Sequence, residues 1–219
     1  MAKSASNATE PPRAIGLYGG TFDPPHNGHL ALIRGALAAI DLAELRVFPA
    51  GDPYQKSARG ISAAAHRIAM LELTCAGIDH VHIDARETTR QGATYTVDTL
   101  HELRTELGPH VPLIWLIGAD AFARLESWHR AHELASLCHM AVVTRPGERS
   151  VPSTFAGFEP VDTDRIAPRA AGWSFHASIA TPAVSSTHIR ECVRRGDSIR
   201  ALVPSRVCDY IETHHLYRE

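Results

Sequence analysis

Leu113-Ile114-Trp115-Leu116-Ile117 runs five apolar residues without a polar break. A strand with one wet face alternates apolar and polar side chains, so an unbroken run marks a strand covered on both faces, as in a parallel sheet between helices. Met140-Ala141-Val142-Val143 repeats the pattern. Around these runs, strand-like and helix-like segments alternate. Ile15, Leu17 and Tyr18 lead into Gly19-Gly20, and Leu30, Ile33, Leu37 and Ile40 then recur at helical spacing, which reads strand, tight turn, helix. Leu45-Arg46-Val47-Phe48 predicts a second strand, ended by Pro49 and Gly51.

A second helix is expected with Ser62 as N-cap, Ile68, Leu71 and Cys75 on its inner face and Gly77 as its stop. Val81 and Ile83 mark a short strand after it. Thr96 is placed as the cap of a third helix carrying Val97, Leu100, Leu103 and Leu107, closed by Gly108-Pro109. The stretch 146–171 is rich in Pro, Gly and Ser and reads as irregular, and helices starting near Ser186 and Pro204 end the chain. Residues 1–12 show no apolar period and are expected to be a disordered tail, leaving 13–219 as a single domain. The expected fold is α/β: a Rossmann-like, doubly wound parallel sheet with helices on both faces and a small C-terminal helical part. Ligands should bind beyond the C-terminal ends of the strands.

Composition narrows the function. Lys+Arg 22 against Asp+Glu 24 gives a net charge of −2, without the basic excess that attracts nucleic acid. No apolar run approaches the roughly 18 residues of a membrane span, and the start lacks a secretory apolar region. A cytoplasmic protein with neither nucleic acid nor membrane as partner is therefore expected. Cys75, Cys138, Cys192 and Cys208 lack C-x-x-C spacing and read as reduced packing residues.

The segment Gly19-Gly20-Thr21-Phe22-Asp23-Pro24-Pro25-His26-Asn27-Gly28-His29 stands between the first strand and the first helix. Glycines let a ligand approach the backbone, and a helix start offers free N–H groups and a positive dipole end, so this reads as a phosphate site. His26 and His29, three apart, share one face and can both donate to oxygens that gain charge during a transfer. Either imidazole could instead cap the turn. A zinc reading of H-x-x-H lacks a third ligand and H-E-x-x-H, so no metal ligands are assigned.

Later segments add to this. Val184-Ser185-Ser186-Thr187-His188-Ile189-Arg190 puts hydroxyls at a helix start and Arg190 one turn in, a second phosphate site or else a plain cap with a surface Arg. Gly118-Ala119-Asp120 follows the most apolar strand, where Asp120 could accept from ribose hydroxyls or cap the next helix. Lys56 is the one lysine besides Lys3, and lies in a loop where it could reach a phosphate or stay solvated.

Gly19 to Leu30 resembles the first signature of the HxGH nucleotidyltransferases. Ala93 to Leu100, Leu116 to Phe122 with Trp128-His129, Val184 to Arg190, Val203 to Ile211 and His215-Leu216-Tyr217 narrow the resemblance to bacterial nicotinate-mononucleotide adenylyltransferases. It spans about 13–218 in motif order. The resemblance implies adenylyl transfer from ATP to nicotinate mononucleotide, giving nicotinate adenine dinucleotide and pyrophosphate, a step of NAD biosynthesis. It implies Mg²⁺ carried on the ATP phosphates rather than held in a protein cage. ATP would meet Gly19, Gly20, Thr21, Phe22, His26, His29, Gly118, Asp120, Ser185, Ser186 and Arg190, with His26, His29 and Arg190 catalytic. The mononucleotide would meet Lys56, Thr96, Trp128 as a plate for the ring, and the His129 backbone. Gln55 stands where the family often has His, and whether it replaces that residue in contacting substrate stays open. Alternatives are a sister transferase acting on phosphopantetheine or with a cytidylyl donor, and a catalytically silent nucleotide-binding module. The oligomeric state stays open, a homo-oligomer included.

Overall fold

The computed structural model describes residues 12–51, 61–144, 156–161 and 169–218. Its strands are β1 (Ala14–Gly20), β2 (Leu42–Pro49), β3 (Val81–Ile83), β4 (Leu113–Gly118), β5 (His139–Thr144), β6 (Glu159–Pro160) and β7 (Trp173–Ser178). The helices are α1 (Asn27–Ala39), α2 (Ala64–Cys75), α3 (Arg86–Thr89), α4 (Thr96–Leu107), α5 (Ala119–Phe122), α6 (Ala131–Leu137), α7 (Ser186–Arg195) and α8 (Ser205–Thr213), with a 3-10 turn at Leu125–Ser127.

All strand pairs are parallel, in the order β3-β2-β1-β4-β5-β7-β6. Leu17 of β1 pairs with Arg46 on one side and Trp115 on the other. The order reverses between β1 and β4, and a crevice opens there at the strands' C-terminal ends. The unbroken run Leu113 to Ile117 is buried throughout, as expected. Its side chains alternate between two layers. Trp115 and Ile117 pack with Leu100 and Leu103 of α4 and Leu134 of α6. Ile114 and Leu116 share the opposite cluster with Ile33 and Ala36 of α1 and Leu71 of α2. A third cluster joins α7 and α8 to Met70 of α2, forming the C-terminal helical part.

Several expectations are corrected. Ser62 does not cap α2: the N-cap is Ala63, and the Ser62 amide is held by the Asp23 carboxylate instead. Thr96 is the first helical residue of α4, behind Tyr95 as N-cap. Gly77 does stop α2: it follows the C-cap Ala76 with φ +77°, the left-handed conformation in which glycine ends helices. Gly108 does close α4, its φ of +83° in the region that favours glycine. β6 and β7, which pair through Glu159 and Trp173, were not foreseen, and β6 falls inside the stretch read as irregular. The expected disordered tail lies, but for residue 12, outside the described residues.

Candidate active site

The two histidines of the first loop fold around one another. His26 is the N-cap of α1, and its Nδ1 accepts from the amides of Gly28 at 3.1 Å and His29 at 3.4 Å. The His26 amide in turn donates to His29 Nδ1 at 3.1 Å. This is a capping box built from two imidazoles. The rings stack at 3.7 Å with 20° between their planes. Because both Nδ1 atoms accept, each ring in its neutral form carries its hydrogen on Nε2. Burial also pushes the His26 pKa down to about 4, which keeps that ring neutral near pH 7.

The expectation of free helix amides at this loop is therefore corrected. Asn27 N–H donates to Leu202 O at 3.0 Å, Gly28 and His29 to the His26 ring, and Leu30 to His26 O at 3.1 Å. What α1 brings to the cleft is imidazole Nε2–H rather than backbone N–H. Gly28 explains the spacing: a Cβ there would stand 3.0 Å from the His26 ring. Gly19 and Gly20 serve packing as well, since Cβ atoms would meet the rings of Trp115 at 2.8 Å and Phe22 at 2.9 Å. Phe22 is buried, and its ring meets His29 edge-on at 4.9 Å.

α7 docks on the same loop. Ser186 Oγ donates to Pro24 O at 2.9 Å, and Arg190 Nη1 donates to Asp23 O at 2.7 Å. Ser185 caps α7, accepting from the His188 amide at 3.2 Å. Ser185, Ser186 and Thr187, at the start of α7, line the cleft. His26, His29, Ser185, Ser186 and Arg190 together line a cavity of about 650 Å³. Asp23 anchors this arrangement from below at 2 % exposure. Its carboxylate takes the Ser62 amide and, at 2.7 Å, the hydroxyl of Tyr217. Buried Arg67 donates to Ser62 O, Thr21 O and Gly51 O, binding together the loops after β1 and β2.

A second cavity, of about 250 Å³, opens at the β1–β4 switch and shares Tyr18 and Thr21 with the first. Gly19, Gly20, Thr96, Gly118, Trp128 and His129 line it. Trp128 is half-buried against the core, so it both packs and presents a face, while His129 stacks on Tyr95 at 4.1 Å.

Most of the expected site residues thus come together in one two-part cleft. Gly118 lies in the second cavity rather than beside the histidines. Asp120 lines neither cavity; it is exposed in the first turn of α5, which Gly118 caps. Lys56 and Gln55 lie outside the described residues. The places of Asp23, Arg67, Glu87 and Tyr217 in the cleft are not among the roles expected from sequence. Asp23 and Tyr217 stand within quoted motifs, and that position was the available signal. Among the described residues, no group of three or more His, Cys, Asp or Glu side chains could hold a metal ion.

A strand-to-helix loop with paired histidines, a second helix start docked on it and a crevice at the sheet's switch point make up this cleft. The cytidylyltransferase-like family profile matches residues 17–192, and the chain belongs to this family. Within it, the chain is 41 % identical over 212 residues to the probable nicotinate-nucleotide adenylyltransferase of Laribacter hongkongensis, covering 94 % of each chain. It is 40 % identical over 212 residues to that of Pseudomonas aeruginosa, covering 94 % of this chain and 98 % of the relative. The fold matches Plasmodium falciparum nicotinic acid mononucleotide adenylyltransferase complexed with NaAD, with TM-score 0.74, 18 % identity and coverage of 94 % and 97 %. The same protein complexed with APC gives a TM-score of 0.70 at 18 % identity, with coverage of 94 % and 97 %.

Proposed function

We propose that this chain transfers the adenylyl group of ATP to nicotinate mononucleotide. A 5′-phosphate oxygen of the mononucleotide attacks the α-phosphorus, the bond from that phosphorus to the bridging oxygen breaks, and pyrophosphate leaves. The observation that carries this reading is the two-part cleft, whose halves, one lined by His26, His29 and Arg190 and the other by Trp128, meet at Tyr18 and Thr21. Phosphoryl-type transfer asks mainly for positioning and charge stabilisation, which this site can supply without a covalent intermediate.

On the phosphate side, the Nε2–H groups of His26 and His29 donate to phosphate oxygens that gain charge. Arg190, its guanidinium fixed by the Asp23 carbonyl, supplies a permanent positive charge there. Ser185 keeps its hydroxyl hydrogen for a ligand, since the oxygen serves the cap as acceptor. On the other side Trp128 offers a face to the nicotinate ring. Thr96 and the His129 backbone supply donors to the ring carboxylate, a contact that favours acid over amide.

Mg²⁺ fits this site as a companion of ATP: it prefers water and phosphate oxygens, and the nearby carboxylate of Asp23 is engaged by Tyr217 and Ser62. When bound it would neutralise phosphate charge. No helix among the described residues is long and apolar enough to cross a membrane. A cytoplasmic setting, where ATP is plentiful, belongs to the same proposal.

Pyrophosphate release from ATP and Mg²⁺ with nicotinate mononucleotide, nicotinamide mononucleotide and phosphopantetheine in parallel tests the reading. Rapid release with the first is expected. Release only with another acceptor would overturn the roles of Thr96 and Trp128, and release with none would overturn the transfer itself.

A further inference from the structure

The second cavity is lined, among the described residues, by a single carboxylate, Glu87 of α3. This residue is only 6 % exposed. Its Oε1 accepts the Thr99 hydroxyl at 2.7 Å, and Thr99 is backed by Arg90 at 3.3 Å, itself paired with Glu102 at 2.8 Å. The carboxyl is thus held from behind by a chain of three side chains. Its other oxygen has no donor among the described residues. Glu87 is itself among the residues that line the cavity.

Its position along the cavity follows from backbone contacts. A Cβ on Gly51 would collide with the Glu87 carbonyl, and the neighbouring Ala50 amide donates to Gly20 O at 2.8 Å. Glu87 therefore sits near Gly20, next to the Thr21 that both cavities share, and near the start of α4, where Thr96 stands. A mononucleotide with its ring at Trp128 and its phosphate near Thr21 must place its ribose between those two points. Carboxylate and phosphate groups would be repelled by Glu87, whereas a vicinal diol presents two O–H donors to an acceptor-only group.

We infer that Glu87 is a binding residue that accepts the ribose hydroxyls of the mononucleotide substrate and makes the site select ribose over deoxyribose. This rests on the proposed function. The test is steady-state pyrophosphate release with nicotinate mononucleotide and its 2′-deoxy and 3′-deoxy analogues, for the wild type and Glu87→Gln. Glutamine can keep the Thr99 contact while turning an N–H₂ donor toward the cavity.

The wild type should lose about 10- to 100-fold in kcat/KM on at least one deoxy analogue, the range for losing a hydrogen bond to a charged acceptor. Glu87→Gln should show a similar loss on the ribo substrate, little further loss on that analogue, and an unchanged KM for ATP. Equal kcat/KM across all three substrates in the wild type would overturn the assignment. So would a variant whose losses are the same on ribo and deoxy substrates, the mark of a structural role. If the variant fails to fold by circular dichroism, the wild-type series alone decides. Neither turnover nor calorimetric binding of nicotinate mononucleotide by the wild type would overturn the proposed function, and this assignment with it. Normal turnover without ribose discrimination would overturn this assignment alone.

Discussion

His29 holds the His26 amide through Nδ1 while its ring faces the phosphate cavity, so a single atom decides which nitrogen carries the proton. Removing such a preorganised donor lowers turnover by about 100- to 1,000-fold where it has been measured in other sites. His29→Ala should fall in that range, read as kcat for pyrophosphate release, with far-UV circular dichroism unchanged. His26 makes a prediction about pH. Its folded pKa, about 4, lies below the ordinary value of 6.5, so the unfolded chain takes up the proton first as pH falls. The stabilisation from the neutral ring is complete above about pH 6.5, drains away between about 6.5 and 4, and amounts to roughly 3 kcal/mol at most. Urea unfolding at pH 7 and pH 4.5 should show this drop in the wild type. His26→Asn, which keeps a cap acceptor but cannot titrate, should show a smaller one.

At the scale of elements, β1 to β5 were legible in the sequence, β4 and β5 as unbroken apolar runs and β2 and β3 as apolar residues flanking Arg46 and His82. β7 mixes buried Ser174 and exposed His176 with Phe175 and Ala177, which leaves no run to notice. α3 and α5 have four residues each, one turn, too short to show a period. The site divides the same way. The motifs at the starts of α1 and α7 could be read because each lies within a dozen residues of sequence. The roles of Asp23 and Arg67 depend on groups as far apart as 46 positions for Arg67 and Thr21 and 194 for Asp23 and Tyr217, which no local pattern records. The docking of α7 also yields a test. Ser185→Ala removes the cap on the His188 amide and should cost about 1 kcal/mol of stability. A lowered thermal midpoint together with a raised KM for ATP would register both the lost cap and the loosened phosphate side.

For the whole molecule, the bond between Tyr217 and Asp23 ties the segment after α8 to the loop after β1. Burial and the nearby Asp23 carboxylate both push the Tyr217 pKa upward, so the hydroxyl keeps its proton and remains a donor at neutral pH. Tyr217→Phe leaves a buried carboxylate oxygen short of its closest donor. Urea unfolding should show a loss of about 1–3 kcal/mol. A loss below that range would mean that the Ser62 amide and Arg190 hold Asp23 without help. Asp23 and Tyr217 stand 194 positions apart. During synthesis the acid beneath the histidines gains its hydroxyl partner only after 194 further residues have been made. A nascent chain thus displays this loop long before that bond can form, and activity should appear only once Tyr217 has been made.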